Sequence, residues 1–244
     1  MDNFTAYLSV GDSMSIDAYP FFELSKNNLD VPQAVGAASL LYQNVPEIWP
    51  EFEGRDLKSL FPDLFFKCVA MDGATTHDFI SGEYLESFEI YKDKAVLVTL
   101  TLSGNDLLRM MNRQQSAVEQ EQEIEQIWQR YEQVVSLIIA TFPKARMVLT
   151  TIYDPTDGSG ELPGYPKFTE HLESFSKTND FIRDFAAKSE FALADVHKHF
   201  LGHGLSAEKD QRWYWEPNPI EPSARGASEI RRLWLEALGQ SYAS

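Results

Sequence analysis

Three short segments of this 244-residue chain place small polar residues directly after apolar runs. Gly11-Asp12-Ser13 follows "AYLSV", Asp72-Gly73-Ala74-Thr75-Thr76 follows "FFKCVAM", and Ser103-Gly104-Asn105-Asp106 follows "AVLVTLTL". A serine hydroxyl is a nucleophile once a neighbour takes its proton. A glycine presents its backbone N–H with no side chain in the way, and an asparagine presents a side-chain amide. The N–H of Ser13, the N–H of Gly73 and the Asn105 amide are three donors of the kind that a developing tetrahedral oxyanion requires around one point. Singly, each segment also reads as a helix cap or a turn. Their order and spacing give them meaning together.

That meaning depends on the elements behind them. Five apolar, β-rich runs at 6–10, 65–71, 95–102, 146–153 and 191–196 have the look of strands buried on both faces, the pattern of a parallel sheet. Helical periodicity over 116–142 sets Ile124, Ile127, Trp128, Tyr131, Val134, Val135 and Ile138 on one face, and further helices are expected over 165–188 and 227–238. Strands separated by helices imply right-handed crossovers and a doubly wound sheet, whose ligands collect at the carboxyl ends of the strands. The Pro- and aromatic-rich segment 19–62 is expected to form a long crossover with one or two short helices, and 154–166 a surface loop. These two segments are also expected to shape the pocket. The chain reads as one domain over 1–244.

Composition excludes several classes. Twenty-one basic against 37 acidic side chains give a formal charge of −16, which repels nucleic acid and anionic membranes. No leader-like segment and no run of about 20 apolar residues is present, so a cytoplasmic protein is expected. Cys68, the single cysteine, rules out an internal disulfide and reads as a buried thiol. No dinucleotide or P-loop glycine pattern follows any strand, and no cofactor is expected. His197, His199 and His203 have ligand types suited to zinc, but their x₁ and x₃ spacings need a strand and a helix respectively, so no metal is expected either.

With these segments in view, the sequence resembles the SGNH hydrolases, the GDSL esterase and lipase family. "GDSM" is similar to the first family block with Met14 in the Leu place, "DGATT" to the second, "SGNDLL" to the third, and "IEPSARGASEIRRLWLEAL" to the last. The resemblance implies a flavodoxin-like three-layer α/β/α sandwich with a five-stranded parallel sheet. It also implies a Ser13 nucleophile, and an oxyanion hole of Ser13, Gly73 and Asn105. The implied substrate is a small-molecule or carbohydrate ester; the alternative is a catalytically silent binding protein on the same fold.

The last block departs from the family pattern of Asp-x-x-His. Aligned on Pro222 and Gly226, Glu221 takes the His slot and Asn218 the Asp slot. A carboxylate's reference pKa lies about 2 units below that of imidazole, which makes Glu221 a poor direct base on its ordinary value. Three readings stay open: a histidine of "DVHKHFLGHG", with His203 favoured for its flanking glycines and Glu221 orienting it; a shifted alignment; or a pocket retained for binding alone. The aromatic run "WYWEP" at 213–217 reads equally as a cleft wall and as packing for the last helix.

Overall fold

The computed structural model describes residues 3–26, 30–165, 167 and 169–240. Five strands form one all-parallel sheet: β1 (Ala6–Gly11), β2 (Phe65–Cys68), β3 (Val96–Thr101), β4 (Ala145–Thr150) and β5 (Ala192–Ala194), in the order β2-β1-β3-β4-β5. This is the flavodoxin-like order, with helices on both faces. The helices are α1 (Ala18–Lys26), α2 (Ala37–Tyr42), α3 (Leu57–Leu60), α4 (Gly104–Met111), α5 (Ala117–Thr141), α6 (Leu172–Lys188), α7 (Val196–Phe200) and α8 (Ala224–Ala237).

The period-2 alternation of the strands divides the core. Tyr7, Leu97 and Val148 face a layer built with Leu40, Leu41, Ile230, Trp234 and Leu235 of α2 and α8. Their neighbours Leu8, Val96, Val98, Met147 and Leu149 face Ile127, Tyr131, Val134 and Ile138 of α5. Every residue of β1 and β3 is buried, which is why these strands read as unbroken apolar runs. In α5 the expected stripe is the buried one except for Trp128, which is half-buried, and Ser116 and Glu119 close a capping box at its start.

Three expectations need correction. Segment 19–62 holds most of α1, all of α2 and α3, and a 3-10 turn at Pro50–Phe52, more helix than its prolines suggested. Helix α6 begins at Leu172, not near 165, because a 3-10 turn at Thr169–His171 precedes it. Helix α8 begins at Ala224, where the Ser223 hydroxyl accepts the Gly226 N–H at 3.0 Å. Gly226 serves close packing rather than a tight start: a Cβ there would lie 2.1 Å from the Trp213 carbonyl oxygen. Residues 27–29 and 166, within the two Pro-rich segments, lie outside the described residues. Cys68 is free and half-buried, and burial raises its thiol pKa. Among the described residues no helix is long and apolar enough to cross a membrane.

Candidate active site

The carboxyl ends of β1 and β3 approach so closely that only glycine fits at position 11. A Cβ there would lie 2.1 Å from Thr101 Oγ1, at a φ of 147°. Thr101 Oγ1 then accepts the Asp12 N–H at 3.2 Å and contacts Ser15 Oγ at 2.9 Å, pinning the turn that presents Ser13. The Asp12 carboxylate accepts the Met14 N–H at 3.1 Å and closes that turn, leaving the Ser13 N–H with no partner among the described residues. Burial pushes the Asp12 carboxyl up to about 7.

The second and third segments are clipped together. Asp106 accepts from Thr76 N at 2.9 Å and Thr76 Oγ1 at 2.7 Å, while Arg130 donates to both Thr76 Oγ1 and Asp106. Asn105 Nδ2 donates to the Ala74 carbonyl at 3.0 Å, and Arg109 to the Gly73 carbonyl at 3.1 Å. Gly73, at a φ of 68°, keeps its own N–H without an acceptor among the described residues. Ser103 holds a left-handed φ of 87° that costs a non-glycine residue about 1–2 kcal/mol. That strained turn starts α4 two residues before Asn105, and no residue type in the segment signals it. Ser13 and Asn105 line the same cavity.

The fourth element is the segment after α7. Its residues 213–215 and 221–223 pair through Trp215 N to the Glu221 carbonyl (2.8 Å), Ser223 N to the Trp213 carbonyl (2.9 Å) and a Tyr214–Pro222 antiparallel bridge. Tyr153, just past β4, donates its hydroxyl to the Ile220 carbonyl at 2.7 Å and ties the turn to the sheet. Glu221, 3% exposed, and Ser13, 8% exposed, thus meet at one corner. The Ser13 hydroxyl acts on the Glu221 carboxyl as a hydrogen-bonding neighbour, short of full hydrogen-bond geometry, and Glu221 Oε2 is buried with no partner among the described residues. Burial, reinforced by the charges of Asp72 and Asp12 and opposed by Ser13, pushes Glu221 up to about 8. The same surroundings make the Glu221 carboxylate a stronger proton acceptor than an ordinary one.

The histidines are engaged elsewhere. The His203 ring stacks on Trp213 with centroids 3.6 Å apart, and its Nδ1 is 3.0 Å from the Gln211 carbonyl. It does not line the Ser13 cavity. His197 Nδ1 is 3.1 Å from Arg183, and His199 Nε2 is 2.9 Å from Glu229. Among the described residues no group of three or more His, Cys, Asp or Glu is arranged to hold a metal ion. Asn218 sits at the head of the Glu221 turn, accepting the Glu221 N–H on its carbonyl and the Tyr165 hydroxyl on its side chain.

In the "WYWEP" run the contacts are those of packing, and none of its residues lines the cavity of Ser13 and Asn105. Trp213 and Tyr214 pack into the α8 layer, while Trp215 lies against Tyr19 and Phe22. Tyr19 in turn donates to Asp72 at 2.9 Å. Segment 154–165 forms no regular element, yet it is not merely surface. Asp154 is buried and accepts from Thr156 N, Thr156 Oγ1 and Gly158 N.

An open parallel sheet in this order, with Ser13, Gly73 and Asn105 following its first three strands, has a flavodoxin-like α/β architecture whose ligands collect at the carboxyl ends of the strands. Residues 33–228 match the GDSL-like lipase/acylhydrolase family, and the chain belongs to it. The fold is shared with Axe2, an acetylxylan esterase from Geobacillus stearothermophilus, at 17% identity and a TM-score of 0.60, over 99% of this chain and 98% of that one. It is shared as well with the lipase Lip_vut3 from a goat rumen metagenome (16% identity, TM-score 0.65, 95% and 96% covered). An extracellular lipase from Streptomyces rimosus is also similar (20% identity, TM-score 0.57, 96% and 98% covered). A search among curated proteins finds no match.

Proposed function

We propose that the protein is a serine ester hydrolase in which Glu221 itself is the base. Ser13 Oγ attacks the ester carbonyl carbon as Glu221 takes its proton. The carbonyl oxygen, now negative, is received by the N–H groups of Ser13 and Gly73 and by Asn105 Nδ2. The protonated Glu221 then gives its proton to the departing alcohol oxygen, leaving acyl-Ser13. Water repeats the sequence, with Glu221 taking its proton and returning it to Ser13 Oγ as the acid leaves. Once protonated, Glu221 is neutral and no longer repels the oxyanion.

The observation that carries this reading is the buried Ser13–Glu221 corner, where burial pushes the Glu221 carboxyl up from its ordinary 4.5 to about 8. Its proton affinity is then comparable to that of the imidazole it replaces. His203 has no part in the scheme, since its ring and Nδ1 are committed to Trp213 and Gln211. The absence of an imidazole at Ser13 favours one second reading, a binding protein without turnover. Labelling by a fluorophosphonate, located by mass spectrometry at pH 7 and pH 9, separates the two. Modification of Ser13 that increases with pH is expected, and an unlabelled Ser13 at pH 9 would sink the hydrolase.

A further inference from the structure

We infer that the ester's acyl part is an apolar chain longer than acetyl, lodged in the cavity beside Ser13; this rests on reading Ser13 as the nucleophile. Besides Ser13 and Asn105, that cavity is walled chiefly by Leu107, Leu108 and Met111 of α4, Ile152 after β4, and Phe175 of α6. Leu108 and Met111 are half-buried, one turn apart, and face into the same space.

Two carboxylates border the cavity, and both are already occupied. Asp154 is bound by Thr156 and Gly158, and Asp12 by the Met14 N–H. A sugar acid or a charged acyl group would lose its hydration there and gain few partners. An alkyl chain loses nothing of that kind, and each methylene it buries is worth about fourfold in kcat/KM.

The side of the ester is fixed by the proton. In the proposed mechanism the leaving oxygen must face Glu221, and Glu221 does not line this cavity. The alcohol therefore lies toward Glu221 and Tyr19, and the acyl chain on the opposite side.

The test is kcat/KM at pH 9 for p-nitrophenyl acetate, butanoate, hexanoate and octanoate, alongside ethyl and hexyl acetate. Hexanoate is expected to exceed acetate by about tenfold or more, with little change between ethyl and hexyl acetate. Leu108→Phe and Met111→Phe should lower the hexanoate-to-acetate ratio at least about fivefold while circular dichroism shows an intact fold. Equal or better turnover of acetate, or a gain from the longer alcohol instead, would overturn the inference while leaving the hydrolase in place. If no ester is cleaved and Ser13 stays unlabelled, the hydrolase reading fails and this inference falls with it, an outcome distinct from acetate being cleaved as well as hexanoate.

Discussion

The Ser13 hydroxyl and the Glu221 carboxyl share one buried corner in which Glu221 Oε2 has no hydrogen-bond partner among the described residues. The proposed chemistry then depends on Glu221 being ionised. Because its carboxyl is held up near 8, kcat/KM should rise as pH climbs through about 8. Glu221→Gln should lose about 10²–10⁴-fold in kcat and with it that rising limb. Glu221→His should move the limb down toward the imidazole range near about 6.5. A wild-type profile already flat from pH 6 to 9 would exclude Glu221 as the base.

Asn105 is fixed by its bond to the Ala74 carbonyl. Asn105→Ala should cost about 10²-fold or more in kcat with a smaller change in KM, since the donor is needed mainly when the oxyanion forms. Steady-state kinetics on one p-nitrophenyl ester decides this. A loss confined to KM would assign Asn105 to ground-state binding.

Stability should run against activity in its pH dependence. Asp12 and Glu221 have folded-state values near 7 and 8, above their ordinary 3.8 and 4.5. Between about pH 4 and 8 the folded chain therefore holds protons that the unfolded chain releases, and these two groups lower stability as pH rises. Thermal melts of the wild type at pH 5.5 and 8.5 should show the lower Tm at 8.5. Glu221→Gln should narrow the gap and melt higher than the wild type at 8.5. An unchanged gap would mean that the carboxyl is not held in a costly site.

His203→Ala should be a stability variant with catalysis intact. Losing the stack on Trp213 should cost about 1 kcal/mol in a denaturant melt, with the pH profile unmoved. A loss of turnover comparable to that of Ser13→Ala would restore His203 to the mechanism.

Gly226→Ala tests the packing that sets the Glu221 segment. Its Cβ would fall 2.1 Å from the Trp213 carbonyl oxygen, which is backbone and has little room to yield. Destabilisation of about 2 kcal/mol or more is expected, with kcat reduced because Trp213 pairs with Ser223, two residues beyond Glu221. A variant with wild-type melting and rate would show that this segment relaxes freely.

The sheet was legible because strands buried on both faces leave unbroken apolar runs, as in β1 and β3, and α5 because Ile127, Tyr131 and Ile138 keep the helical period. The positions of Ser13, Gly73 and Asn105 at strand ends were legible because glycine and small polar residues follow each run directly. The proton affinity of Glu221 was not. It is set by burial and by Asp72 and Asp12, residues far from it in sequence. The pocket wall was legible only in part: of the two segments expected to shape it, 154–166 contributes Asp154, Pro155 and Leu162, while none of the described residues of 19–62 lines it. Helix α4 makes much of the wall, with side chains that in sequence look like ordinary helix packing.

Tyr153 forms one wall of the cavity and, through its hydroxyl, one tether of the turn that bears Glu221. A chain filling the cavity would rest on the same phenol that steadies the base. Energy gained along the chain would then be delivered at the reacting end, appearing as a higher turnover number and not only as tighter binding.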